Sequence, residues 1–474
     1  MENPFTAVWE ITMGCNMHCG HCGSSCKEAL SDELSTEEAY RFIDMCAELN
    51  LKWITISGGE PTTRKDLPLI VKKLRESGIL VNIITNGWLL NEELIQKLKE
   101  SGVSKIAISL DGPENIHDEI RRRGAFNRVK KAFELLNAHQ IASEGITTIT
   151  KKNINHLQDI KSILVNSKVK VWQLQIGLPM GNLKNENVDW VISPDDLEKI
   201  ILTCLKFANE NDIYIDFADS LGYYDKRIGS ICKLNDPSQS WHGCNAGIRG
   251  FGLLCNGDVV GCTSMRSREF VEGNVRNRSL REIWEDKNAF AWRRNMQKSN
   301  LAGECSRCKY GSLCLGGCAN VRLTMEGHIY SENRYCLYNN ALHNLRNAKL
   351  SDSYMGNKLL IASNMMESQS YQDAEIILNK LAENKYGGIP VLEKLAHAEF
   401  MCENFGRSEQ INKQILIQDP NNANAFHGLG CALLKQKRIK EGIKCLEKAI
   451  QLTENKNPDF LNDLHFAYDM QQKQ

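Results

Sequence analysis

The sequence lacks an excess of either charge, a membrane-length apolar run and an export signal. Its 58 Lys and Arg side chains are balanced by 58 Asp and Glu, so there is no basic surplus to attract a polyanion, and nucleic acid is disfavoured as a partner. No apolar stretch approaches the ~20 residues of a membrane span. The opening MENPFTAVWE has neither the basic flank nor the apolar core of a signal peptide. These absences predict a cytoplasmic protein with no membrane partner. Its 474 residues suit roughly two to four domains.

What is abundant is cysteine, with 18 residues. In a reducing compartment clustered cysteines point to metal rather than to disulfides. Cys46, Cys204, Cys402, Cys431 and Cys445 stand apart in helix-like apolar patterns and read as small buried hydrophobes.

Residues 5–180 alternate β-rich runs (FTAVWEIT, KWITISG, LVNIITNG, KIAISLDG, ITTITKK, VWQLQIGLP) with amphipathic segments. Two of those segments, LPLIVKKLRESG and NEELIQKLKESG, end in Ser-Gly, a helix stop signal. Repeated strand–helix units predict an α/β fold with a parallel sheet, an open partial (β/α)6 barrel like part of a TIM barrel. Working residues are then expected at the C-terminal strand ends: Gly58-Gly59-Glu60, Thr85-Asn86-Gly87 and Ser109-Leu110-Asp111-Gly112. Residues 181–243 form a bridging region, 244–345 a cysteine-rich region, and 351–474 an all-α domain. That last part repeats every 34 residues, aligning Ala362 with Ala396 and Gly430, and Ala374 with Ser408 and Gly442. The pattern resembles the tetratricopeptide repeat.

The first cysteine cluster, MGCNMHCGHCGSSC, places Cys15, Cys19, Cys22 and Cys26 in one loop after the first strand. Cys-x3-Cys-x2-Cys can wrap three thiolates around one corner of an iron–sulfur cube, whereas ferredoxin and zinc sites close with four ligands. Together with GGEPT at the end of the next strand, this loop resembles the radical S-adenosylmethionine (SAM) enzymes. The resemblance implies that Cys15, Cys19 and Cys22 bind a 4Fe–4S cluster whose fourth iron is chelated by SAM. Reductive cleavage of SAM then gives a 5′-deoxyadenosyl radical that abstracts hydrogen from substrate. It also implies that Gly58, Gly59 and Glu60 receive the SAM amino end and that Ser109 meets the ribose. Either Arg121 or Arg128 holds the SAM carboxylate. Cys26 is expected not to be a ligand, since it would displace SAM. His18 and His21 read as packing or hydrogen-bonding residues.

Residues 244–336 contain Cys244, Cys262, Cys305, Cys308, Cys314, Cys318 and Cys336 at intervals that resemble the SPASM extension of radical SAM peptide-modifying enzymes. By that resemblance Cys305, Cys308, Cys314 and Cys336 close one auxiliary cluster, making three 4Fe–4S clusters in all. Cys244, Cys262 and Cys318 ligate the other, with Cys232, Cys255 or no residue in fourth place. GFGLLCNGDVVGC reads as a hairpin turning at Asn256-Gly257. Cys255 then lies roughly 13 Å from Cys262 at ~3.3 Å per residue, so Cys232 is preferred.

By the same resemblance, members with this extension act mainly on peptides or proteins. The implied function is oxidative cross-linking of side chains in a ribosomally made precursor peptide, with flavodoxin or ferredoxin as electron donor. Sulfatase maturases carry aspartate directly after the second SPASM cysteine. Here Thr263 stands there, which disfavours formylglycine formation. With the first strand starting by residue 8, a leader-binding module ahead of it is not expected, and the C-terminal repeats are expected to grip the peptide. Asp216, Asp219, Tyr223 and Tyr224 are candidates for a base near substrate, while Trp172 and Gln175 are placed near the barrel mouth without a face assigned. A repeat adaptor or electron carrier without SAM chemistry is the rival, and the intact GGEP argues against it.

Overall fold

The computed structural model describes residues 2–218, 221, 226–232, 243–347, 355–367, 369–454 and 456–472. The chain forms two compact units, Met1–Cys305 with Ser312–Tyr338, and Ser306–Gly311 with Asn339–Gln474.

In the first unit the expected six strands are present: β1 (Thr6–Glu10), β2 (Trp53–Ser57), β3 (Leu80–Thr85), β4 (Lys105–Ser109), β5 (Ala142–Ile149) and β6 (Val171–Ile176). They pair in parallel in chain order. Helices α1 (Thr36–Glu48), α2 (Leu67–Glu76), α3 (Glu92–Glu100), α4 (Glu114–Ile120), α5 (Ala125–Ala138) and α6 (Leu157–Asn166) fill the crossovers. Each local choice has a cause. Ser35 and Glu38 form a reciprocal capping box at the start of α1, and α2 turns Leu67, Ile70, Val71 and Leu74 into the core. A fully buried aliphatic side chain of this kind contributes about 1.5–3 kcal/mol.

The sheet is wider than the six units read from the sequence. Through α7 (Gly181–Asn185) and α8 (Asp196–Glu210) the chain reaches β7 (Tyr214–Phe217), which adds to β6 in parallel. After α9 (Lys226–Ile231), β8 (Gly250–Leu253) pairs in parallel with β1 on the other flank, and β9 (Asp258–Val260) and β10 (Val271–Asn274) follow antiparallel. The order is β10-β9-β8-β1-β2-β3-β4-β5-β6-β7. The β8–β9 hairpin turns at Asn256-Gly257, as its sequence predicts, with Gly257 N donating to Leu254 O at 3.0 Å.

The second unit contains helices Met355–Glu367, Tyr371–Glu383, Gly388–Met401, Phe405–Gln418, Ala423–Lys435, Ile439–Leu452 and Pro458–Gln472. Ala362, Ala374, Ala396 and Ser408, small residues at the 34-residue spacing, are all buried. A Cβ on Gly430 would meet Leu446 Cγ at 2.8 Å, and one on Gly442 would meet Leu434 Cδ2 at 2.9 Å. Those two helices therefore cross at van der Waals contact because glycine stands at the crossing. No helix among the described residues is long and apolar enough to cross a membrane.

Candidate functional site

The C-terminal strand ends converge on the cysteine loop. Beyond β1, the backbone of Thr12 and Gly14 accepts hydrogen bonds from Gly59 N (2.7 Å) and Glu60 N (2.8 Å). A Cβ on Gly59 would sit 2.4 Å from Gly14 O, and one on Gly58, whose φ is +143°, would sit 2.5 Å from Thr12 O. The paired glycines are thus what lets the β2 end lie against the start of the loop. The Glu60 carboxylate is buried and accepts from Thr85 Oγ1 (2.6 Å), Asn86 N (2.7 Å) and Thr62 N (3.1 Å). It joins the ends of β2 and β3. Asn86 continues the link, donating through Nδ2 to Asn16 Oδ1 at 2.8 Å.

Cys15, Cys19 and Cys22 share one apolar cluster with Met17, Trp88 and Ala125. Burial raises the Cys15 thiol and pushes Cys19 up to about 12. Cys22 is drawn down, chiefly by a hydrogen bond from Cys26. Cys26 itself is buried, 3.8 Å from Met13 Sδ.

Beside them Asp111 is fully buried between His21 Nε2 (2.8 Å) and Arg121 Nε. Burial opposes its ionisation, yet the charges of Arg121 and His21 hold it well below the usual carboxylate range. Arg121 Nη1 lies 3.9 Å from Cys19 Sγ. Arg128 instead stands over the Trp88 ring at 5.3 Å. The far side of the loop is pinned by Asn182, which donates through its backbone to Cys22 O (2.8 Å) and through Nδ2 to Cys19 O (3.0 Å). His18 faces Glu186 at 3.3 Å.

From Ser109 a register row crosses the sheet through Ile146 to two polar residues. The strand register sets Ser109 beside Ile146, Ile146 beside Gln173, and Gln173 beside Asp216. Three strand spacings at ~4.8 Å put Asp216 roughly 14 Å from Ser109. Gln175, on the same face, donates to Thr148 Oγ1 at 2.9 Å. Trp172 points the other way, fully buried against Phe207, with Nε1 donating to Thr147 Oγ1 at 2.8 Å. Asp219, Tyr223 and Tyr224 lie outside the described residues.

The second cysteine set is dispersed along the chain but tied by residues the sequence did not single out. Asn333, buried, donates from its backbone to Cys305 Sγ (3.3 Å) and from Nδ2 to Gly316 O (3.1 Å), between Cys314 and Cys318. Its carbonyl accepts from Cys336 N at 3.3 Å. Cys262 packs with Met265, Phe270 and Trp292. Arg293 Nε donates to Cys244 O at 2.8 Å. Cys318 is the N-cap residue of the helix Ala319–Glu326. Cys308 belongs to the Ser306–Gly311 segment of the second unit, where its carbonyl accepts from Gly311 N at 2.9 Å. Cys232 is packed in the main core. Burial, with Asp216 adding to it, pushes its thiol up to about 12. Cys255 is buried too, and its carbonyl accepts from Leu34 N at 2.8 Å.

The donor chemistry fits an iron–sulfur group held by three thiolates. Three thiols are gathered in one apolar cluster, and the Arg121 guanidinium beside Cys19 offsets added negative charge. A family model described as the Radical SAM superfamily matches residues 9–163. A second, SPASM, described as an iron-sulfur cluster-binding domain, matches residues 244–309. An AdoMet-dependent heme synthase of Methanosarcina barkeri is 30% identical over 347 residues, spanning 71% of this chain and 97% of that protein. The mycofactocin maturase MftC of Mycolicibacterium smegmatis is 26% identical over 337 residues, 67% of this chain and 79% of that one. Among solved structures, Streptococcus suis SuiB bound to precursor peptide SuiA superposes with a TM-score of 0.57 at 18% identity, over 70% of this chain and 75% of that one. This last likeness is one of fold.

Proposed function

The chain belongs to the radical SAM superfamily, and we propose on that premise that it is a SPASM-type maturase that oxidatively cross-links side chains of a ribosomally made precursor peptide. In this reading Cys15, Cys19 and Cys22 hold the SAM-binding 4Fe–4S cluster, which supplies the electron that turns SAM into a hydrogen-abstracting radical. Arg121, with a side chain only 9% exposed and directed at Cys19, answers the SAM carboxylate or the negative charge of the thiolates. The amino end meets the strand-end backbone at Gly58 and Gly59. Glu60, whose carboxylate is already engaged by Thr62, Thr85 and Asn86, chiefly holds that backbone in place. Ser109, at the end of β4, is assigned to the ribose. Asp216, three strands further on, is our candidate for a base acting on substrate.

Cys305, Cys308, Cys314 and Cys336 close one auxiliary cluster, and Cys244, Cys262 and Cys318 serve another. Cys232 is the weakest member of the set, since it is packed in the core beside Asp216. Two such clusters offer an exit for the electron left on substrate after hydrogen abstraction. A small electron carrier of the flavodoxin or ferredoxin kind feeds the first cluster, and the tetratricopeptide-like helices of the second unit grip the precursor.

The observation that carries a peptide substrate is the SPASM match joined to a fold likeness with SuiB, whose structure contains a precursor peptide. The 30% identity with a heme synthase supports a second reading, an iron-porphyrin substrate. One experiment separates them. The reconstituted enzyme is incubated with reductant and SAM, plus either a candidate precursor peptide or an iron porphyrin, and 5′-deoxyadenosine is quantified with the product mass. Peptide-stimulated SAM cleavage with loss of two hydrogens per new bond supports the maturase. Stimulation by the porphyrin alone, with the peptide unchanged in mass, defeats it.

A further inference from the structure

The second unit contains a three-donor cluster outside the iron–sulfur machinery. His427 and Cys431 lie one turn apart on the helix Ala423–Lys435, and Asp463 reaches them from Pro458–Gln472. Their donor atoms all lie within 4.8 Å of one another. Cys431 Sγ is 3.6 Å from His427 Nε2 and 3.6 Å from Asp463 Oδ2, and the two latter atoms are 2.8 Å apart. From its sequence pattern Cys431 reads as an apolar filler. The structure instead gives it two polar neighbours.

We propose that His427, Cys431 and Asp463 form a zinc site that clamps the last helix to the one two before it. Tetrahedral Zn2+ takes nitrogen and oxygen at about 2.0–2.1 Å and sulfur at about 2.3 Å, which sets ligand atoms roughly 3.3–3.6 Å apart. Both sulfur separations already meet that spacing, and the His–Asp pair has only to open by about half an ångström. The His427 imidazole is held for the task, stacked on the Phe460 ring with centroids 4.1 Å apart and planes 14° from parallel. On binding, Cys431 releases its proton to solvent. Thiolate, carboxylate and neutral imidazole then sum to two negative charges against two positive. Three protein ligands leave the fourth position for water.

The test uses the full chain with its iron–sulfur clusters reconstituted, freed of adventitious metal and titrated with ZnCl2 against a chromophoric chelator. About one zinc per chain is expected in the wild type, with extended X-ray absorption fine structure that fits one sulfur near 2.3 Å and light ligands near 2.0 Å. Cys431→Ser and His427→Gln should each weaken zinc binding at least 100-fold with iron content unchanged. Asp463→Asn, at a half-exposed side chain where the amide can still pair with His427, serves as the variant that folds regardless and should cost tenfold or more. Equal zinc affinity in wild type and all three variants overturns the proposal. So does a zinc shell of four sulfurs, which would place the metal on cluster cysteines.

Discussion

Arg266 donates through Nη1 to Glu10 Oε1 at 2.8 Å, joining the loop that follows Cys262 to the end of β1. The same guanidinium donates through Nη2 to Ser24 Oγ at 2.6 Å, within the cysteine loop. One side chain thus ties the second cysteine region to the first. Burial raises the Glu10 pKa in spite of Arg266, so the pair stands against a desolvation cost. Removing one member of such a pair leaves an uncompensated charge, at about 3 kcal/mol. Arg266→Met should lower stability by about that amount, and the double variant Glu10→Gln/Arg266→Met should recover most of the loss. Urea unfolding of the matched proteins reads both values.

Gly59→Ala should cut SAM affinity at least tenfold, because its Cβ would press on Gly14 O from 2.4 Å. Backbone contacts of this kind have no side-chain end that can yield. Gly406→Ala, with open space around the new methyl, is the control and should bind SAM like the wild type in equilibrium dialysis.

Asn333→Ala should loosen the Cys314–Cys318 loop from the segment bearing Cys336, since the lost side chain donates to Gly316 O and accepts from Tyr335 N, while the backbone bonds to Cys305 Sγ and from Cys336 N remain. Under the proposed ligand set, iron should fall by about four atoms per chain while the first cluster remains. Iron analysis, with the reduced first cluster followed by paramagnetic resonance, distinguishes this from general unfolding.

His117 gives a pH signature. Burial, with the Arg121 charge adding to it, draws its pKa down to about 4, and its Nδ1 accepts from Asp111 N at 3.1 Å. The folded state therefore binds fewer protons than the unfolded one. This contribution is complete above pH ~6.5 and is lost as pH falls toward 4, up to about 3 kcal/mol. His117→Gln keeps an acceptor without the titration. Its unfolding free energy should change less between pH 7 and pH 5 than that of the wild type, and equal slopes would refute the assignment.

Much of the first unit was readable because its signals are local. Strand alternation, helix stops and the Cys15–Cys22 spacing each fit in a short window, and β1–β6 follow in chain order. Partners were not readable. Glu10 and Arg266 stand 256 residues apart and Cys19 and Asn182 163 apart, with nothing at either position announcing the other. The added strands were readable only in part: GFGLLCNGDVVGC announces the β8–β9 hairpin, but nothing in the four residues of β7 or of β8 says that one joins β6 and the other β1. Alternation likewise left Trp172 and Gln175 without a face until neighbouring strands put one against Phe207 and the other beside Thr148. In the second unit the 34-residue spacing foretold which small residues are buried, while the Asp463 beside Cys431, 32 residues away, was invisible.

The most direct measurement is iron and sulfide per chain after anoxic reconstitution, for the wild type and for the triple variant Cys15→Ala/Cys19→Ala/Cys22→Ala, with SAM cleavage followed in both. The account predicts roughly twelve irons falling to roughly eight, at four per cube, with SAM cleavage abolished in the variant. A wild-type value near four, or cleavage that survives loss of the three cysteines, would contradict it.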